Sequence, residues 1–180
     1  MGSAADLQYS KAIEALAEEI GFRLAQSGAT VVFGAEKDYD SLSTAACRGA
    51  KRGGGLTVGV TYGKGLTVFE KENADIIITS GSERGGPRES VLVLSCDAII
   101  TISGGSGTLT EIAVAYQANI PIVVMKGTGG WSDKLAGQYL DARERVMAEA
   151  ANTPEEAVSR AIERAELRLK AILTGWSREV

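Results

Sequence analysis

Apolar residues near the start of the chain recur at the three- and four-residue spacing of an α-helix. Between positions 10 and 26 they fall on one face, and polar residues occupy the opposite face. Gly28 follows as a natural stop, because glycine readily adopts the backbone conformation that ends a helix. The spacing therefore predicts an amphipathic helix whose buried face carries Ile13, Leu16, Ala17, Ile20 and Leu24.

Short apolar runs follow, separated by polar, helical or glycine-rich stretches. Runs that are apolar on both faces are typical of strands in a parallel sheet covered by helices on both sides. The expected strands are 30–34, 56–61, 75–79, 98–102, 120–125 and 146–150. Further helices are expected over about 42–52, from Pro87, over about 108–118, and from a capping sequence at 153–156 to about Leu173.

This alternation predicts an α/β fold: a Rossmann-like, doubly wound, mostly parallel sheet between two layers of helices. A chain of 180 residues has the length of one such domain, and we see no boundary within it. The whole chain is therefore expected to form a single Rossmann-like nucleotide-binding domain.

One element of that fold has no counterpart in the sequence. Doubly wound domains normally begin with a strand, often a central one, whereas this chain reaches its first helix after a few small and acidic residues. Gly2 and Ser3 resemble the loop that would follow such a strand. We expect either that residues upstream of Met1 are missing, which we favour, or that another segment or subunit takes the place of the strand.

Net charge and the counts of histidine and cysteine exclude several classes of ligand and catalytic site. The 19 basic and 23 acidic residues give a net charge of −4, which favours neither a nucleic-acid partner nor an anionic membrane. The chain has no histidine, and Cys47 and Cys96 alone cannot complete a zinc site, so we expect neither a metal centre nor a histidine-activated nucleophile. No signal sequence and no apolar stretch of about 18 residues is present, which predicts a cytoplasmic protein.

The 22 glycines concentrate after predicted strands, and one cluster is the strongest candidate site. It follows strand 98–102 and opens a helix, where an open parallel sheet binds its ligands and where helix amides lack partners. A phosphate cradle is one interpretation, and a tight turn without a ligand is the other. The residues of this cradle are Gly104, Gly105, Ser106, Gly107 and Thr108.

Two charged residues belong to the same predicted edge of the sheet. Glu111 falls one turn into the helix that the glycines open, and Arg88 follows Pro87 at the start of another helix. Because an arginine is unfavourable near the positive end of a helix dipole, Arg88 should have an anionic partner, either Glu111 or a ligand phosphate.

A third glycine cluster, which includes Thr128, Gly129 and Trp131, follows strand 120–125. These residues are candidates for the pocket lining. Trp131 either stacks on a ligand or anchors its own loop.

Arg88, Asp97-Ala98 and the stretch 104–111 together resemble the paired signature of the LONELY GUY family, Arg-Lys followed by Pro-Gly-Gly-x-Gly-Thr-x-x-Glu. The likeness is strongest to prokaryotic members grouped with molybdenum cofactor carrier proteins. The resemblance implies a homodimeric or higher homo-oligomeric nucleotide-binding protein. Catalytic members hydrolyse the N-glycosidic bond of nucleoside 5'-monophosphates.

By that resemblance, Glu111 would activate water and stabilise the ribosyl cation, Arg88 would position the substrate, and the loop 104–108 would hold the 5'-phosphate. Gly34 and Ser3 would be what remains of two further parts of the nucleotide site. No cofactor would be required. The alternative is a binding or carrier protein that holds a nucleotide or molybdopterin without transforming it.

The sequence departs from the family signature at three places. Ser103 replaces its proline, Glu89 replaces its lysine, and its second glycine motif is reduced to 34–37. These departures bear on base specificity and on turnover, so both interpretations remain open.

Overall fold

The computed structural model describes residues 1–82 and 87–174. It confirms the α/β fold with mostly parallel strands. The strands are β1 (Val31–Ala35), β2 (Thr57–Thr61), β3 (Ile76–Thr79), β4 (Ile99–Ile102), β5 (Ile122–Met125), β6 (Gln138–Tyr139) and β7 (Met147–Ala151). The helices are α1 (Lys11–Gln26), α2 (Leu42–Arg52), α3 (Arg88–Leu94), α4 (Ser106–Gln117), α5 (Gly130–Leu135) and α6 (Pro154–Leu173), with short 3-10 turns at Ala5–Leu7 and Lys71–Asn73.

The strands form two groups. β1, β2 and β3 pair in parallel in that order, and the second group has the order β4, β5, β7, β6. Only β6 runs antiparallel to its neighbour in the described part of the chain. The break between β1 and β4 falls where a doubly wound sheet has its first strand.

Helices cover both faces of the strands. On one face, α1, α2 and α6 bury Ile100, Ile102, Val123 and Met125. On the other, α3, α4 and α5 pack around Ile99, Ile122 and Val124 with the buried ring of Tyr116. Alternate residues of β4 and β5 thus enter opposite cores, which explains why both strands are apolar except at Thr101, whose buried hydroxyl hydrogen-bonds to that of Ser132 at 2.9 Å.

The predicted helices and strands begin and end within about two residues of their observed bounds. The differences concern the start of α3 and two short elements that were not predicted. Pro87 is the N-cap of α3 rather than its first helical residue, so Arg88 begins that helix. α5 and the two-residue strand β6 were not expected. Residues 83–86, between the predicted strand 75–79 and the helix predicted from Pro87, lie outside the described residues.

The first two residues of the chain pair with strand β4. The carbonyl of Met1 accepts a hydrogen bond from the Ile102 amide at 3.0 Å, and its ammonium group donates to the Ile100 carbonyl at 2.9 Å. Gly2 thereby forms a parallel bridge to Ile102. Residues 1–2 are therefore paired to β4 as the end of a parallel strand, and the chain then turns away at Ser3.

No helix in the described ranges is long and apolar enough to cross a membrane.

Two glycines let α1 and α2 pack with their backbones in contact. A Cβ atom on Gly49 would lie 1.8 Å from the Glu18 carbonyl oxygen, and one on Gly21 would lie 1.8 Å from that of Ala46. Since α1 also packs on α6 and on the strands, this contact sets where the first helix sits on the core.

We predict that Gly49→Ala lowers the free energy of unfolding by about 3 kcal/mol, because the added methyl group forces the helices apart. Gly107→Ala is the matched control: that glycine is also helical, and its Cβ would meet nothing within 4 Å. Urea denaturation of both variants tests the prediction, and equal effects at the two positions would contradict it.

Candidate functional site

A polar pocket of ≈ 220 Å³ opens at the carboxyl ends of β1, β2 and β4. It brings together most of the residues singled out in the sequence. Its lining includes Ser3, Gly34, Glu36, Tyr62, Arg88, Glu89, Gly105, Ser106, Gly107, Thr108 and Glu111.

The glycine-rich loop on one side of this pocket is held from both sides. The Ser3 hydroxyl accepts a hydrogen bond from the Gly104 amide, and the Thr128 hydroxyl accepts one from the Ser103 amide, each at 2.8 Å. At Gly104 φ is +102°, and a Cβ there would lie 2.5 Å from the Thr108 side chain. The loop conformation is therefore specific to glycine at this position.

Helix α4 begins at the pocket without a side-chain cap. Its N-cap is Gly105, which has no side chain to accept a hydrogen bond from the first-turn amides. These amides and the positive end of the helix dipole face the pocket edge formed by Gly105, Ser106 and Gly107. This is the geometry in which proteins bind phosphate groups.

Arg88 lies at the floor of the pocket and is only 3% exposed. Its guanidinium hydrogen-bonds to Glu36 at 3.1 Å and lies 3.5 Å from Glu111 and 3.6 Å from Glu89. It also stacks over the Tyr62 ring, 4.5 Å from the ring centre. Within the described ranges its Nε atom is buried without a hydrogen-bond partner. The expected pairing of Arg88 with Glu111 is thus present, and two further carboxylates share the guanidinium.

Gly34 of β1 makes room for that guanidinium. A Cβ at this position would lie 2.6 Å from Nη2 of Arg88 and 2.8 Å from Nη1. The residue was singled out as a remnant of a nucleotide-binding motif, and the structure gives it a steric role beside the arginine.

Glu111 is buried, and burial raises the pKa of its carboxyl to about 7. The Met1 ammonium and Arg88 oppose this rise, whereas the nearby Glu89 and Glu36 add to it. Burial likewise lowers the pKa of the Met1 ammonium group, whereas the charge of Glu111 raises it. A carboxyl with a pKa near neutrality can both give and take a proton at physiological pH, as general acid–base chemistry requires.

Sequence reasoning missed Glu36, Glu89 and Tyr62 as members of the site. The Tyr62 hydroxyl donates to Glu89 at 3.1 Å, and burial raises its pKa. Glu36 directly follows β1 and Tyr62 directly follows β2. The rule that placed the glycine loop at a carboxyl end of the sheet applies equally to these two positions.

The third glycine cluster lies behind the loop rather than in the pocket. Thr128 donates its hydroxyl to the Met125 carbonyl at 2.8 Å, and the Trp131 amide donates to the Gly104 carbonyl at 3.0 Å. Trp131 lies on α5, and its ring packs on the core with the Lys134 ammonium 4.5 Å from the ring centre. Among the described residues, Thr128, Gly129 and Trp131 do not line the pocket. Of the two interpretations of Trp131, the structure agrees with the one in which it anchors its loop.

Among the described residues, no group of three cysteine, aspartate or glutamate side chains is arranged to hold a metal ion. Cys47 and Cys96 are both free thiols.

We predict that Glu111→Gln removes a pH dependence from stability. The folded protein holds the Glu111 proton more tightly than the unfolded chain does, so wild-type stability falls as pH rises from 4.5 to about 7. A glutamine cannot lose this proton. The variant should therefore gain up to about 3 kcal/mol relative to wild type between pH 4.5 and 8.

Urea denaturation across that pH range measures the difference. Glu163→Gln, which removes the same charge from an exposed position on α6, serves as the control. Parallel curves for wild type and Glu111→Gln would contradict the prediction.

Comparison with known proteins places this site in a family. The model of the SLOG cluster4 family matches residues 1–158, which include the whole site. An uncharacterized protein of Archaeoglobus fulgidus is 31% identical over 111 residues, which are 62% of this chain and 69% of that protein.

Solved structures of similar fold cover nearly the whole chain. TM1055 is 27% identical with a TM-score of 0.78, over 91% of this chain and 96% of its own. The molybdenum cofactor binding protein of the phototrophic bacterium Rippkaea orientalis is 25% identical with a TM-score of 0.74, over 91% and 93%. A Moco carrier protein of Chlamydomonas reinhardtii is 25% identical with a TM-score of 0.71, over 92% and 95%. On the family match, the chain belongs to the SLOG cluster4 family, a group with a Rossmann-like fold.

Proposed function

We propose that this chain binds a phosphorylated, nucleotide-type small molecule between the glycine-rich loop and the Arg88–Glu111 pair. The observation that carries the proposal is the first turn of α4, which has no side-chain cap and lines a polar pocket beside the buried Arg88. Helix amides without partners favour an anionic ligand group at this position.

The phosphate belongs at the start of α4. Amides of the first turn, the Ser106 and Thr108 hydroxyls and the helix dipole all favour an anion there. The three carboxylates at the other side of the pocket repel one, so the ligand should direct its uncharged or hydrogen-bond-donating part toward Glu36, Glu89 and Glu111.

The size of the pocket limits what it encloses. At ≈ 220 Å³ it is smaller than the roughly 300–1,000 Å³ of sites that enclose drug-sized ligands. It therefore suits the phosphate and sugar of a nucleotide, or the phosphate-bearing end of a pterin cofactor, with the ring system nearer the mouth. The molybdenum cofactor proteins among the structural relatives support the pterin as a candidate ligand.

Hydrolysis of the N-glycosidic bond is the second candidate, and the state of Glu111 favours it. A buried carboxyl with a pKa of about 7 can take a proton from water that attacks the sugar carbon, and its ionised form stabilises the oxocarbenium-like transition state. The products would be the free base and ribose 5-phosphate. This chemistry needs no metal and no histidine.

We predict that nucleoside 5'-monophosphates or a phosphorylated pterin raise the melting temperature, since a ligand that binds only the folded state stabilises it. Gly107→Ala should weaken this binding at least about tenfold, because Gly107 lines the pocket at the first turn of α4 and the added methyl group would meet no protein atom within 4 Å. Ser159→Ala, an exposed change on α6, is the control. Tight binding retained in Gly107→Ala would overturn the assigned phosphate position.

A separate assay distinguishes binding from turnover. If the chain is a hydrolase, wild type releases ribose 5-phosphate, and Glu111→Gln abolishes release while it keeps the ligand-induced melting shift. If the chain is a carrier, neither protein releases ribose 5-phosphate, and both keep the shift. Absence of any shift across nucleotides, pterins and inorganic phosphate would overturn both candidates.

The homodimer implied by the resemblance stays a prediction, which light scattering in solution can test.

A further inference from the structure

The interior of the polar pocket gives the flat ring of a ligand little apolar surface to contact. Its floor and sides carry Arg88, three carboxylates, hydroxyl groups and the glycine-rich loop. Tyr62 also lines the pocket, but it is buried, and the Arg88 guanidinium covers its ring. Of the other described lining residues, only Leu7 and Tyr39 have a large apolar or aromatic side chain. We call these two side chains the apolar rim.

The two residues of the apolar rim lie on chain segments that pair with each other. Ala4 forms an antiparallel bridge with Ser41, and the next residues on the two segments are joined by a main-chain hydrogen bond of 2.9 Å. Leu7 follows Ala4 by three residues, and Tyr39 precedes Ser41 by two. In an antiparallel pair, residues after the bridge on one segment lie beside residues before it on the other. Leu7 and Tyr39 therefore belong to the same stretch of the pocket edge.

Leu7 is exposed although its main chain is held in place. It ends the 3-10 turn Ala5–Leu7, and its side chain is 54% exposed. Its amide donates to the Ala4 carbonyl at 3.0 Å, and the next residue, Gln8, has φ of +51°, which residues other than glycine seldom adopt. Single exposed leucines are common on protein surfaces, so exposure alone assigns no role to Leu7. Its contacts do.

The Leu7 side chain lies against the start of α4. A Cβ atom on Gly105, the N-cap of that helix, would lie 2.8 Å from Cδ1 of Leu7. The apolar rim is thus adjacent to the first-turn amides of α4. A leucine at this position contributes nothing to the binding of an anion, whereas a ring carried by a phosphorylated ligand would find apolar surface there.

We propose that the apolar rim binds the flat heteroaromatic ring of the ligand, so that Leu7 and Tyr39 determine the preference of the site for nucleotides or pterins over phosphate esters that lack a ring. This inference rests on the proposed function, since it takes the phosphate to bind at the first turn of α4. Dispersion contacts with a leucine and stacking on a tyrosine ring favour a flat ring of any base. The apolar rim therefore selects for a ring and discriminates little among bases.

The test compares pairs of ligands that differ by the ring. Adenosine 5'-monophosphate is paired with ribose 5-phosphate, and neopterin monophosphate with glycerol 3-phosphate. Titration calorimetry gives the four dissociation constants, and within each pair their ratio reports the contribution of the ring. All proteins carry Glu111→Gln, so that turnover does not disturb the measurement. We expect the ring to tighten binding at least about tenfold in the better pair.

Leu7→Ala and Tyr39→Ala should each reduce this ratio at least about fivefold and change the affinity for the ringless partner by less than about twofold. Leu7→Met, which keeps a long apolar side chain, should retain the ratio. Leu94→Ala is the matched control, because Leu94 ends α3, is 60% exposed and does not line the polar pocket.

An unchanged ratio in Leu7→Ala would overturn the proposal. An equal loss of affinity for both members of a pair would also contradict it, because Leu7 would then act on the glycine-rich loop rather than on the ring. Equal binding of both members by the protein with Leu7 and Tyr39 intact removes the role of the apolar rim and leaves the phosphate site standing. If none of the four compounds binds, the proposed function itself fails and the apolar rim fails with it.

The melting temperature without ligand separates these results from a folding defect. Because the Leu7 side chain is half exposed, Leu7→Ala should melt within about 2 °C of its parent protein. If Tyr39→Ala melts lower than that, the ratio measured for Leu7→Ala decides.

Discussion

The structure around the polar pocket depends on one buried guanidinium group, that of Arg88. A buried arginine cannot lose its proton, so it needs carboxylates and π-electron density around it. Arg88 obtains them from four elements: Glu36 beyond β1, Tyr62 beyond β2, Glu89 beside it on α3, and Glu111 on α4. Removing one partner of a buried ion pair typically costs about 3–5 kcal/mol, so these four attachments couple the ends of two strands to two helices.

The position of the loop depends equally on residues that are distant in sequence. Ser3 accepts from Gly104, and Thr128 accepts from Ser103, so the first residues and the third glycine cluster fix the same turn from opposite sides. This turn determines where α4 begins, and α4 presents Glu111 to Arg88. The geometry of the glycine-rich loop is therefore a product of three separate chain segments, and a change in any of them alters the loop.

The features that could be predicted from the sequence are those set by hydrophobic periodicity, helix caps and the order of the elements. Helices with strong periodicity and good caps, such as α1, α2 and α6, begin and end within a residue of their expected bounds. The loop, Arg88 and Glu111 could be assigned to one edge because strands and helices alternate in a known order. Glu36 and Tyr62 follow β1 and β2, so the same rule assigns them to this edge, but the contacts of Glu36, Glu89 and Tyr62 with the buried Arg88 could not be predicted from local pattern. Trp131 had two interpretations, and only packing against the core separates them.

The charge of the pocket decides how an anion can occupy it. Glu36, Glu89 and Glu111 outnumber Arg88, and the Met1 ammonium beside Glu111 has a lowered pKa because it is buried. A phosphate placed against Arg88 would face carboxylates at close range, whereas one at the first turn of α4 meets amides and a positive dipole. Protonation of Glu111, whose pKa is about 7, removes one of the repelling charges. An arriving anion and a proton on Glu111 therefore favour each other, because each lowers the electrostatic cost of the other.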